Sequence, residues 1–240
     1  MNMTFSKTKY WVMYLMVMIG SLPLFAQSDI PDDYRLVYSQ DFESPQSMSD
    51  FEATDASAWK MGSGATGQTM ALFGKSNYRG AVRSPFNITI LKEIIVEDFV
   101  MDIDLNQTGK EYGHRDLCLF FGFQNATNFY YVHLASIADD HANNIFLVND
   151  EPRIKIASKT TAGVDWADTN SWHKVRIVRK VKEGIIQIYF DNMQHPVMEA
   201  QDQHFAAGRI GVGSFDDTGQ FDNIKIWAPK VVKQKQGFFQ

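Results

Sequence analysis

Asp116, Tyr131 and His133 are the residues whose types and spacing best suit chemistry on a bound molecule. Tyr131 and His133 stand two apart in a strand-like run, so their side chains share one face. Imidazole and phenol can both carry protons, and a nearby acid such as Asp116 supplies an alternative acid/base. Asp139-Asp140-His141 follows a few residues later, so His141 is a further candidate from an adjoining loop, with Asn143-Asn144 beside it. Asp139 and Asp140 are the acids expected to meet Asp116 and form a carboxylate pair.

These residues belong to three strand-like segments between Arg115 and Asp150. A hairpin around Asn125–Asn128 sorts the first two into unlike faces. One face carries Leu117, Leu119, Phe121, Phe123, Tyr130, Val132 and Leu134, which suits a core. The other carries Asp116, Phe120, Gly122, Gln124, Tyr131 and His133, which suits a polar ligand.

Later strands extend the pattern. Lys174 and Arg176 alternate with Val175 and Ile177, and Gln187 and Tyr189 alternate with Ile186, Ile188 and Phe190. If all these strands join one sheet, a single surface gathers Asp116, Tyr131, His133, Asn144, Lys174, Arg176, Gln187 and Tyr189.

Short runs rich in Val, Ile, Phe and Tyr, bounded by Gly, Asn, Asp and Pro, recur over the whole chain. The clearest span 36–42, 81–90, 97–106, 117–124, 129–136, 144–148, 173–179, 185–190, 209–214 and 221–227. Lys92–Ile95 reads as one short helical turn, and no longer run has a helical period. Many short strands separated by turn signals mean an all-β sandwich or barrel.

Lys7 and Lys9, an apolar run from Tyr10 to Phe25 and a small residue at Ala26 read as a secretory signal peptide over 1–26. One domain then fills 27–229, and 230–240 forms a loose tail. Cys118 is the one cysteine, so the chain makes no internal disulfide, and a thiol inside a strand reads as a small buried filler. The His and Cys spacing shows no zinc motif. A net charge of −5 provides no basic field for nucleic acid. Asn87, Asn106 and Asn125 each open an Asn-x-Thr glycosylation pattern.

Several segments carry a family resemblance through their order. They are Asp98–Asp104 (DFVMDID), Ser171–Val178 (SWHKVRIV), Tyr189–Asn192 (YFDN), Arg209–Phe215 (RIGVGSF) and Phe221–Trp227 (FDNIKIW). Together they resemble the concanavalin A-like (laminin G/glucanase-like) jelly rolls over most of Leu36–Trp227. More narrowly, they resemble exported bacterial domains related to the 3-keto-disaccharide hydrolase and family 16 glucanase-like group. The resemblance implies an antiparallel two-sheet jelly roll with one convex and one concave sheet, the concave groove binding or cutting glycans. It also implies a structural calcium between the first and last strands, where Glu43 and Asp222 offer carboxylates.

The chemistry in that groove can be narrowed. Retaining hydrolysis of the family 16 type needs an E-x-D-x-x-E strand, and Asp102 and Asp104 have no glutamate following in that pattern. A β-eliminating lyase needs a base and a cation, which Tyr131, His133, Lys174 and Arg176 supply by type. Recognition without catalysis needs neither.

The expectation is therefore an exported monomer that binds oligo- or polysaccharide in a groove lined by Tyr131, His133, Arg176 and Tyr189, with no organic cofactor, nucleic acid or membrane partner once the leader is cleaved. The alternative is a glycan-cleaving hydrolase or lyase using the same groove, with His133, Asp116 or Tyr131 in the catalytic role. A structural or adhesion module of the cell envelope is the third.

Overall fold

The computed structural model describes residues 1, 30–235 and 237–239, so the expected leader, beyond Met1, lies outside the described residues. The first strands are β1 (Arg35–Gln40), β2 (Phe51–Ala53), β3 (Trp59–Ser63), β4 (Gln68–Leu72), β5 (Asn87–Leu91) and β6 (Ile94–Ile95). Then come β7 (Phe99–Gln107), β8 (Asp116–Asn125), β9 (Asn128–Ala135), β10 (Asn144–Asn149), β11 (Ile154–Lys155) and β12 (Ala157–Thr160). The last are β13 (His173–Lys180), β14 (Ile185–Phe190), β15 (Met198–Gln201), β16 (Arg209–Ser214), β17 (Gly219–Ala228) and β18 (Val232–Lys233). Helix among the described residues is limited to two 3-10 turns, Ser47–Asp50 and Ala56–Ala58.

The strands form an antiparallel two-sheet sandwich. One sheet has nine strands in the order β12-β15-β14-β13-β7-β17-β4-β3, with β1 also on β17. The other has seven, in the order β11-β10-β9-β8-β16-β5-β2. The core between them follows from alternation. Met101, Ile103 and Leu105 of β7, with Val175 and Ile177 of β13, meet Leu117, Leu119 and Phe121 of β8 and Val132 and Leu134 of β9. Each such burial is worth roughly 1.5–3 kcal/mol.

The two sheets differ on their outer faces. On β13 and β14 every second residue is at least partly exposed, as an antiparallel sheet facing water should be. On β8 and β9 nearly every residue is buried, so the seven-stranded sheet is covered on both sides. Its outer face carries a second apolar cluster of Ile88, Ile90, Cys118, Phe120, Phe123, Phe129, Tyr131, Phe146 and Val148.

Several expectations change here. Phe123 belongs to the outer cluster rather than the core, because the β8–β9 register shifts between Phe121 and Asn125. Gly122 sits in that bulge at φ +58°, a conformation side chains rarely adopt, and a Cβ there would lie 3.0 Å from Tyr130 Cδ2. The run expected as a strand from Ala81 begins only at Asn87, and the loop before it places Val82 on the outer cluster. Ile94–Ile95 pair with Val232–Lys233 as strands instead of forming a helical turn.

The C-terminal segment, for which the sequence predicts no fixed place, lies on the same face. The Phe238 ring stands 5.4 Å from Phe123, and Phe239 stands 5.9 Å from both Phe123 and Tyr78. Both backbone N–H groups, of Phe238 and Phe239, donate to Glu52 Oε1 at 2.9 Å. Arg209 anchors the approach by donating to Gln234 O at 2.7 Å while standing 4.6 Å from the Phe238 ring.

Candidate functional site

The register of β8, β9 and β10 sets the site. Cys118 and Asn144 flank His133, and Phe120 and Phe146 flank Tyr131. The second row is a continuous aromatic stack, with Tyr131 at 5.8 Å from Phe120 and 5.1 Å from Phe146. The first row is polar, and Asp116 extends it two residues before Cys118. One outer face therefore runs from apolar, under Phe238 and Phe239, to charged at Asp116 and His133.

A pocket of about 240 Å³ opens at the charged end, lined by Arg83, Tyr112, His114, Asp116, His133, His141, Arg153, Phe215 and Asp216. Arg153 organises it. Its guanidinium lies between the rings of Phe146 and Phe215, 4.6 Å from each centroid. It donates to the Tyr131 hydroxyl and, at 2.9 Å, to the His141 carbonyl. Tyr131 itself is fully buried, and burial holds its hydroxyl well above the ordinary range. Its geometry is that of a support for Arg153 rather than an accessible base.

Asp116 is the most heavily bonded acid of the site. Ser214 Oγ donates to Oδ1 at 3.0 Å, and the Phe215 N–H and Cys118 thiol donate to Oδ2 at 2.9 and 3.1 Å. Burial pushes its carboxyl up, but neighbouring His133 and the Phe215 and Cys118 donors outweigh it and hold the group below the usual range. The acids that approach it are Asp216 and Asp217, whose carboxylate oxygens and those of Asp116 all lie within 4.8 Å of one another. Asp217 Oδ2 accepts from the Asp116 N–H at 2.9 Å and from Tyr112 at 2.8 Å. Burial, then the Asp116 charge, push Asp217 up to about 7.

The expected partners of Asp116 are engaged elsewhere: Asp139 with His114 at 2.6 Å, and Asp140 with Lys155. Both acids cap the turn and its strap instead, as Asp139 Oδ1 also accepts from the His141 N–H at 2.7 Å. That turn presents the His141 carbonyl to His133 Nδ1 at 2.9 Å. A carbonyl only accepts, so Nδ1 carries the hydrogen, and Nε2 faces Asp116 Oδ2 at 3.4 Å. Asn144 is nearly buried and accepts from the Ala157 N–H at 3.1 Å, so it ties β12 to the sheet.

Lys174, Arg176, Gln187 and Tyr189 do not join this surface. Their strands, β13 and β14, belong to the nine-stranded sheet, so these side chains lie on the opposite outer face of the sandwich. Side-chain period fixes the face of a sheet but not the sheet a strand joins. There Arg176 makes a bidentate pair with Asp102 at 2.6 and 2.8 Å, Lys174 reaches Asp104 at 3.4 Å, and Gln187 donates to Glu199 at 3.2 Å. Clefts of about 430 and 440 Å³ flank these pairs. They are larger than the pocket at Asp116, and within them Arg176 and Lys174 are matched with Asp102 and Asp104 across neighbouring strands.

A hard cation is the third expectation, at Glu43 and Asp222. Asp222 is nearly buried, and burial followed by Asp104, Glu43 and Asp41 pushes its carboxyl up to about 6. Glu43 Oε1 accepts from the Gln68 N–H at 2.9 Å and lies where a Cβ on Gly67 would stand, 1.9 Å away, with Gly67 at φ +79°. The charges of Glu43 and Asp41 reach Asp222, but among the described residues neither Glu43 nor Asp222 belongs to a group of three or more ligand atoms within 4.8 Å of one another, so a hard ion there would need backbone carbonyls or water to complete its shell.

No protein-family model matches the chain, and no curated protein sequence matches it. Solved structures do, through the fold. A Bacillus subtilis protein of unknown function with a galectin-like fold aligns with TM-score 0.58 and 11% identity, over 84% of this chain and all (100%) of that one. Carbohydrate-binding module CBM66 from Bacillus subtilis aligns with TM-score 0.51 and 18% identity, over 73% of this chain and 93% of the module. Lectin I-B4 from Griffonia simplicifolia, in its metal-free form, aligns with TM-score 0.50 and 10% identity, over 79% and 97%. The two sheets and their order give this chain the concanavalin A-like jelly-roll fold that these structures share.

Proposed function

We propose that this is an exported carbohydrate-binding protein whose ligand enters the pocket at Asp116, His133 and Arg153. The observation that carries the reading is Arg153, which lines a polar pocket with its guanidinium 4.6 Å from the ring centroids of both Phe146 and Phe215. Planar donors beside ring faces and carboxylates match the alternating hydroxyl edges and apolar faces of a sugar. The pocket, at about 240 Å³, is smaller than the roughly 300–1,000 Å³ clefts that take drug-sized ligands. It suits one sugar residue, or the end of a chain, better than the length of a polymer. The carbohydrate-binding module and lectin of the same fold support the class of ligand. A calcium ion at Glu43 and Asp222 completes the proposal, with a stabilising role away from the pocket. A glycan array followed by titration of each hit tests it: saturable binding weakened at least tenfold by Arg153→Ala is expected, and absence of any bound glycan overturns it.

Cleavage is the second reading, favoured by Asp116, Asp216 and Asp217 standing within 4.8 Å of one another. Close carboxylates held at opposite protonation tendencies are what acid/base hydrolysis uses. Product analysis on every bound glycan decides, with turnover abolished by Asp217→Asn as the supporting result and intact ligand as the opposing one.

A further inference from the structure

We propose that Asp116, Cys118 and His133 form a binding site for a borderline divalent transition-metal ion of the zinc type, at the floor of the pocket. It stands independently of the glycan reading. Spacing along the sequence hides the site, because it is made by strand pairing. Asp116 and Cys118 are i and i+2 on β8, and His133 is the cross-strand partner of Cys118 on β9. Three donors therefore project from one patch of one face.

Their donor atoms all lie within 4.8 Å of one another. Oδ2 of Asp116 is 3.1 Å from Cys118 Sγ and 3.4 Å from His133 Nε2. With metal–O and metal–N bonds of about 2.0–2.2 Å and metal–S of about 2.3 Å, neighbouring ligands in a tetrahedral shell stand roughly 3.3–3.6 Å apart. The two distances from Asp116 Oδ2 are already close to that.

The independent sign is His133. Its residue is 4% exposed, and Nε2 is buried with no hydrogen-bond partner. At 3.4 Å it is too far from Asp116 for a charge-assisted bond of about 2.7–2.9 Å. With Nδ1 donating to the His141 carbonyl, Nε2 is the atom left to bind a metal, facing Asp116 Oδ2 at 3.4 Å, and an ion there would take the place of any proton shared with Asp116. Such an outer hydrogen bond is what orients metal-ligating imidazoles. Asp116 is oriented in the same way by Ser214 Oγ and the Phe215 N–H.

The charges balance. On binding, the Cys118 thiol that now donates to Asp116 loses its proton to solvent, and thiolate plus carboxylate neutralise a doubly charged ion beside a neutral imidazole. A sulfur, nitrogen and oxygen set selects zinc-type ions over calcium or magnesium. Asp116 and His133 line the pocket, so a fourth position opens toward it, as three-ligand sites require for an exchangeable ligand.

Chelator-treated protein titrated with zinc and, separately, cobalt(II) tests this. The expected results are one zinc retained per chain after dialysis and a cobalt spectrum with thiolate-to-metal charge transfer. Cys118→Ser should remove that band, and Cys118→Ser and His133→Gln should each weaken zinc binding at least tenfold. Because Cys118 is the one cysteine of the chain, the wild-type cobalt spectrum decides even if a variant fails to fold. Cobalt bound without the charge-transfer band, or no metal retained, overturns the proposal.

Discussion

Asp217 accepts the backbone N–H of Asp116 at 2.9 Å, although 101 residues separate them. This bond ties the β16–β17 loop to the first residue of β8 and brings Asp217 beside an ionised, buried carboxylate. The consequence is a pH-dependent stability. Asp217 moves from an ordinary 3.8 up to about 7, through burial and then the Asp116 charge. The folded chain holds this proton more tightly than the unfolded chain, so stability falls as pH rises from about 4 through 7. Asp217→Asn keeps an oxygen for the Tyr112 and Asp116 donors and removes the charge. It should raise Tm at pH 8 by a few degrees, since about 1 kcal/mol moves a domain of this size by roughly 2–4 °C. No such gain is expected at pH 4. An unchanged Tm at pH 8 contradicts the assignment.

The C-terminal phenylalanines should contribute to stability. Phe238→Ala combined with Phe239→Ala uncovers Phe123 and Tyr78 while leaving the strands intact. Both rings are half-buried, so the loss should be about 1–2 kcal/mol, below the roughly 3–5 kcal/mol typical of fully buried phenylalanine. Urea denaturation measures it, and a midpoint equal to wild type shows that the segment adds nothing to the fold.

The calcium proposed at Glu43 and Asp222 has a direct readout. A ligand that binds the folded chain alone stabilises it by about 2.7 kcal/mol at a hundred times its dissociation constant. Tm should therefore fall when EGTA replaces calcium, and Glu43→Gln should lower the Tm in calcium and erase that difference. Equal melting with and without calcium rejects the site.

Much of the architecture was legible because alternation reports burial. The strands Ile185–Phe190 and Arg209–Ser214 form over the residues expected, and β8 and β9 pair around Asn125–Asn128 as their pattern requires. Two things were not legible. Period two does not say which sheet a strand enters, so the pattern alone puts Arg176 and Tyr189 beside His133 although they lie across the sandwich. Loops carry no period at all, so Arg83, Arg153 and Asp217 gave no sign of converging on Asp116. The bulge at Gly122 left only a glycine as its trace, and a glycine in a strand does not say that Phe123 will cross to the other face.

The central claim is that sugar is bound on the seven-stranded sheet, at Arg153, and not on the opposite face. The most direct test is calorimetric titration of the best glycan-array ligand into wild type, Arg153→Ala and Tyr189→Ala. Arg153→Ala should weaken binding at least tenfold, about 1.4 kcal/mol or more, while Tyr189→Ala leaves it unchanged. Loss of affinity in Tyr189→Ala with Arg153→Ala binding as wild type contradicts the account and moves the site to the other sheet.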